Sequence, residues 1–205
     1  MKGKLGFELT EQHMKKLSMI VTVGDGVYRE LMQEGLFAHK YFTNVKGSLY
    51  TKLIQRQCEI ESRDKDFQFT FTEREFGYGH IIPELQLPNL IMHFGRSQSA
   101  DQLPHKAAHK VELSNANHPV YRQLRINTDL EPPHESGPYY AIVTFGTKYS
   151  LDFITMQFPA PGYFGIADSI VLPLVADEKG EAETIKRKKA ILKKEVASMS
   201  EEGVS

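Results

Sequence analysis

Five histidines, His93, His105, His109, His118 and His134, fall within about forty residues of a chain that carries no other concentration of reactive side chains. His105 and His109 are four apart, and on a helix that spacing stacks two imidazoles on one face, close enough to share a metal ion. Glu112 projects from the same face and extends the pattern to HxxxHxxE. The chemistry this suggests is metal-dependent hydrolysis of a phosphodiester. Zn²⁺ or Mn²⁺ would be held by His105, His109 and Glu112 or His134, and the phosphate by Arg96 or Arg125. The competing reading follows from helix geometry. A helix over 102–113, capped by Asp101 and with Pro104 in its first turn, buries Leu103, Ala107 and Val111. The imidazoles then face away from the core, in a solvated or hydrogen-bonding role that needs no cofactor.

The same stretch is basic. Arg96, Lys106, Lys110, Arg122 and Arg125 outnumber Asp101 and Glu112, and Tyr121 adds a planar ring. Cations neutralise phosphates and rings stack on unpaired bases, so nucleic acid is one partner this segment fits. A second basic run, Lys186, Arg187, Lys189 and Lys193, lies near the C-terminus. There Ile185, Leu192, Val196 and Met199 form a narrow apolar seam suited to a partner helix or a second copy of the chain. Charge does not single that helix out, because from Asp177 to Glu202 seven cations balance seven anions. Tyr163 and Phe164 follow Pro161-Gly162, which fits the central positions of a type II turn. The two rings either close a core edge or form an exposed aromatic surface. Val23-Gly24-Asp25-Gly26 reads as a break between helices rather than a phosphate cradle, and Cys58 as a buried, inert thiol. Motifs for phosphate loops, dinucleotide turns, zinc proteases, redox cysteines, serine hydrolases and EF-hands are absent from the sequence.

The elements that must position these groups change period along the chain. Thr10 is an expected N-cap, followed by a helix with Met14, Leu17, Ile20 and Val21 on one face. A second helix, with Val27, Tyr28, Leu31 and Met32, is expected to end at Gly35. A third carries Val45, Leu49, Tyr50, Leu53, Ile54 and Cys58. From Phe67 the pattern becomes alternating, and strands are expected at 67–72, 89–94, 139–145, 151–158 and 169–175. Helices followed by clustered strands predict an α+β fold. Its expected form is N-terminal helices, a mostly antiparallel sheet of about five strands with one inserted helix, and a charged C-terminal helix. The expected organisation is a single domain over 1–176 and a helical tail over 177–205.

Composition bounds the rest. The chain has 205 residues, 40% hydrophobic and 25% charged, with a net charge of −1, one cysteine and no tryptophan. These values suit a globular protein without a disulfide scaffold. No apolar run suits a signal peptide or a membrane span, so the expected compartment is the cytoplasm and no membrane partner is expected. The expectation for function is a non-catalytic binding or regulatory protein. It would act through protein–protein contact first and nucleic acid second, with the hydrolase as the alternative. On this view, removing residues beyond Asp177 weakens association and leaves the fold intact.

Overall fold

Among the described residues, 9–33, 43–117, 138–147, 151–174 and 179–202 of a computed structural model, six strands and four helices make up an α+β architecture. In chain order the elements are α1 (Glu11–Gln33), α2 (Thr43–Ser62), β1 (Thr70–Phe76), β2 (His80–Leu87), β3 (Leu90–Arg96), α3 (Ala108–Ser114), β4 (Tyr139–Thr147), β5 (Leu151–Pro159), β6 (Ile166–Val171) and α4 (Lys179–Glu202). The chain gathers into two compact units: residues 1–14 with 68–172, and residues 15–67 with 173–205. The expected boundary at 176/177 was drawn from composition. By contacts, α4 groups in the second unit with α2 and with α1 from Lys15 onward.

The first unit is built on one sheet in the order β1-β2-β3-β4-β5-β6. All neighbours pair antiparallel except β3 and β4, which are parallel, so the sheet is mixed. A parallel pair requires a crossover, and the segment carrying α3 supplies it. The sixth strand, β2, was hidden in the sequence by Pro83. That proline sits opposite Glu73 of β1, outside the β2–β3 register, which covers only 85–87. It therefore occupies a stretch with one paired side, where a missing N–H is tolerated. Alternation divides the sheet into two faces. One is apolar, with Leu85, Met92, Phe94, Ala141, Val143, Phe145, Ile154, Met156 and Phe158 all buried. The other is unusually polar and carries Glu84, His93, Tyr140, Thr144, Thr155 and Gln157, also buried.

The second unit is helical. α1 begins as expected: Thr10 Oγ1 accepts the His13 N–H at 3.1 Å, and His13 Nδ1 accepts the Thr10 N–H at 3.4 Å, a reciprocal cap with histidine in the usual Glu position. It then runs unbroken through Gly24-Asp25-Gly26, correcting the expected interruption. A Cβ on Gly24 would stand 2.6 Å from Ile54 Cγ1, so glycine there allows close approach of α2. Asp25 is buried because the Tyr50 hydroxyl donates to it at 2.9 Å and Arg29 pairs with it. The apolar stripe of α2 is confirmed at Tyr50, Leu53, Ile54 and Cys58, while Val45 is exposed.

The C-terminal helix differs from a protruding tail. Ile185 and Leu192 are buried with Val23, Val27 and Leu53, so the apolar seam is covered inside the unit. Its cations are paired internally as well. Lys188 and Lys16 (2.8 Å) hold the buried Glu61, Lys189 and Lys193 hold Glu30 at 3.2 and 2.7 Å, and Arg56 pairs with Glu195. Burial pushes Glu61 up, but the hydrogen bonds from Lys16 and Lys188 outweigh it and leave the carboxyl below its ordinary range. Lys186 and Arg187 remain on the exposed outer side.

Candidate functional site

On the polar face of the sheet, the chain leaving β3 folds back as a tied loop. The Ser97 N–H donates to Phe145 O at 2.9 Å, its hydroxyl donates to Ser99 O at 3.0 Å and also to Gln102 O, and Gln157 Nε2 donates to Ala100 O at 2.8 Å. Buried Pro104 lies over Gly95, where a Cβ would come within 2.9 Å of Pro104 Cγ. Asn117 clamps the strand ends. It accepts from Tyr140 N at 2.8 Å and donates to the Tyr140 and Pro159 carbonyls at 2.9 and 2.6 Å.

Beyond β5 the expected type II turn is present. Tyr163 N donates to Ala160 O at 2.8 Å, and Gly162 has φ 74° and ψ 2°. Tyr163 itself has φ 64°, a left-handed conformation that costs a non-glycine residue about 1–2 kcal/mol. Its ring is buried, its hydroxyl donates to Pro104 O at 2.9 Å, and Asn115 Oδ1 receives the Gly162 N–H at 3.0 Å. These contacts hold the strained turn, and its outcome is Phe164 projecting at 87% exposure.

An open cleft of about 1170 Å³ lies between this turn and the tied loop, lined by Arg96, Gln98, Asp101, Gln102, His105, Lys106, Asp152, Tyr163 and Phe164 among others. Asp152 is the extra residue of a bulge: Gly146 pairs with Phe153 and Thr147 with Leu151, which leaves Asp152 unpaired in the register and turns it out of the regular pleat. The Lys106 ammonium sits 5.0 Å from the Phe164 ring centroid. Arg96, His105, Lys106, Tyr163 and Phe164, singled out separately in the sequence, therefore converge on one cleft.

The other histidines belong to a buried network. His93 Nε2 is 3.0 Å from Glu84 Oε2, and His93 Nδ1 is 3.2 Å from the Tyr140 hydroxyl. Burial holds Tyr140 well above the ordinary phenol range, so the hydroxyl keeps its proton, and each ring nitrogen of His93 is engaged, Nδ1 with that hydroxyl and Nε2 with Glu84. The His93 hydrogen bond brings Glu84 down to about 2. Arg74 at 3.4 Å and Gln86 at 2.7 Å complete the carboxylate's shell. His109 packs its ring 4.2 Å from Phe76 and 6.1 Å from His93, with Nε2 buried and unpartnered, and desolvation lowers it to about 4. A general base needs a lone pair that a substrate proton can reach. Both His93 nitrogens are engaged at 2% exposure, so this network braces β2, β3 and β4.

The expected helix over 102–113 forms only from Ala108, because Pro104 and the loop bonds hold the preceding residues extended. His105 lies before it and His109 within it, so the two imidazoles do not share a helical face. His109 turns inward against Phe76 and His93, contrary to the expected outward orientation. Glu112 is exposed. Among the described residues, no group of three or more His, Cys, Asp or Glu side chains is placed to hold a metal ion. Lys110 donates to His105 O at 2.7 Å and is lowered to about 8 by burial, so it fixes the loop rather than presenting a surface cation. Lys186, Arg187, Lys189 and Lys193 lie on α4, in the other unit. His118, Tyr121, Arg122, Arg125 and His134 fall outside the described residues. Sequence reading missed Glu84 and Tyr140, which are isolated in the chain and become partners only through strand register. Among the described residues, no helix is long and apolar enough to cross a membrane.

Fold and cleft together describe an α+β protein with a surface site formed by a strained aromatic turn and a tied loop. Comparison with known protein families, curated proteins and solved structures finds no match to the chain.

Proposed function

We propose that this chain is a non-catalytic binding protein that captures a polypeptide segment of a partner in the cleft between the 97–106 loop and the Tyr163–Phe164 turn. The observation that carries this reading is Phe164, a large apolar side chain held at 87% exposure by a backbone conformation unfavourable for its neighbour Tyr163. Exposed aromatic rings on rigid supports are the usual anchors of protein interfaces. The lining favours polypeptide over nucleic acid, because Asp101 and Asp152 stand among the cations and would repel a phosphate backbone. Gln98 and Gln102 offer amide donors and acceptors suited to peptide groups. Partner contact through α4 loses its support, since the apolar seam and several of the cations are engaged within the unit.

The test is selection of a displayed library of short random peptides on the wild-type protein and on Phe164→Ala, with a single-stranded oligonucleotide as the rival ligand. Peptides retained by the wild type and lost on Phe164→Ala support the reading. Oligonucleotide binding that depends on Phe164, with no peptide enrichment, would replace it with the nucleic-acid alternative.

A further inference from the structure

The Lys106 ammonium rests over the Phe164 ring, 5.0 Å from its centroid, and meets no carboxylate among the described residues. The pair is solvent-exposed on both sides, since Lys106 is exposed and Phe164 is 87% exposed. An exposed cation–π contact and an exposed ammonium–carboxylate pair are each worth about 0–1 kcal/mol, so a carboxylate that a bound segment holds beside Lys106 competes with the ring for it. When the ammonium moves to that carboxylate, the face of Phe164 it covered becomes free for an apolar side chain. An apolar group arriving alone reaches the part of the ring that is already open, and with a carboxylate beside it the face under Lys106 is added. Each half of such a ligand improves the site for the other.

Resting on the polypeptide-binding reading above, we infer that the cleft selects a segment carrying an Asp or Glu beside an aromatic or large aliphatic residue. Lys106 takes the carboxylate and Phe164 takes the apolar side chain. The acidic residues of the lining limit how much negative charge the segment brings. Asp101 and Asp152 offset Arg96 and Lys106 in the cleft, so an acidic run is disfavoured. The tied loop keeps Lys106 in place: Pro104 O is held by the Tyr163 hydroxyl and His105 O by Lys110, on the two residues just before it in sequence.

The experiment extends the peptide selection to three proteins: wild type, Phe164→Ala and Lys106→Glu. Both side chains are exposed, and matching thermal unfolding of the three confirms that they are equally folded. The wild-type pool is expected to be enriched several-fold in an acidic residue next to Phe, Tyr, Leu or Ile. The Lys106→Glu pool should exchange the acidic residue for Lys or Arg while keeping the apolar one, and Phe164→Ala should enrich neither. A Phe164-dependent pool without acidic bias, or an acidic bias unchanged by Lys106→Glu, overturns the inference while leaving polypeptide binding standing. A wild-type pool no richer than that of Phe164→Ala takes down both.

Discussion

His93 Nε2 lies 3.0 Å from the Glu84 carboxylate on the neighbouring strand, with His93 at 2% and Glu84 at 5% exposure. Buried polar pairs are asymmetric: satisfied, they are nearly neutral, but losing one partner leaves the other exposed to an apolar interior. His93→Ala takes one of three partners from Glu84, leaving Arg74 and Gln86, and orphans the Tyr140 hydroxyl. Its expected cost is about 2–3 kcal/mol in urea unfolding. Tyr140→Phe removes a single hydrogen bond and should cost about 1 kcal/mol. Equal, small losses for both variants would mean that the network does not brace the sheet.

The same network sets an acid limb of stability. Native His109 takes its proton only near pH 4, while the unfolded residue takes it near 6.5, so between these values the unfolded chain binds more protons. Stability therefore falls as pH drops from about 6.5 to about 4. Glu84 extends the loss: its native value of about 2 against 4.5 unfolded withdraws stability as pH falls between those two values. His109→Gln should flatten the upper part of a melting-temperature profile and leave the lower part in place. An identical slope in that variant would rule out His109 as its source.

How legible this was in the sequence depended on whether the signal was local. The apolar runs of β3, β4 and β5 and the stripe of α2 carry their own periodicity and were readable to within a few residues. The turn at Pro161-Gly162 was readable because its dihedral requirements select those two residues. β2 was not readable, because Pro83 speaks against a strand unless its unpaired side is known. In the cleft, Arg96, His105, Lys106 and the two rings stood out by type. Their meeting depends on the parallel β3–β4 pair and the loop bonds of Ser97, which no spacing in the chain reports. The histidines misled for the same reason: His109 finds Phe76 and His93 through the sheet, and His105 never joins the helix.

Glycine in α1 is a sharper instance. Gly24 and Gly26 look alike in sequence, yet their surroundings predict opposite outcomes. A Cβ at Gly24 would meet Ile54 Cα at 3.0 Å, where α2 backbone must move, so Gly24→Ala should cost about 1–2 kcal/mol despite alanine's better helix propensity. At Gly26 the obstacle is the flexible Lys189 side chain, and Lys193 still holds Glu30 at 2.7 Å. Gly26→Ala should be neutral or stabilise by up to about 1 kcal/mol. Comparable destabilisation of both variants by denaturant titration would contradict the close approach at Gly24.

Deleting α4 reverses the outcome expected from sequence. A charged amphipathic tail could be removed with its unit intact, but here Ile185 and Leu192 close a core with Val23, Val27 and Leu53. Each buried aliphatic side chain contributes about 1.5–3 kcal/mol, and a domain's whole stability is about 5–15 kcal/mol. The deletion also strips Lys188 from Glu61, a carboxylate at 1% exposure left with Lys16 and Gln57 alone. A chain ending at Asp177 should therefore lose more helical circular dichroism than the missing residues account for, with rapid proteolysis of α1 and α2. Leu192→Ala, expected to cost about 2–5 kcal/mol, tests the same packing in the full-length chain. If the truncated chain instead keeps the ellipticity and protease resistance of α1 and α2, α4 is dispensable to the second unit, and partner binding through its apolar seam becomes the reading to pursue.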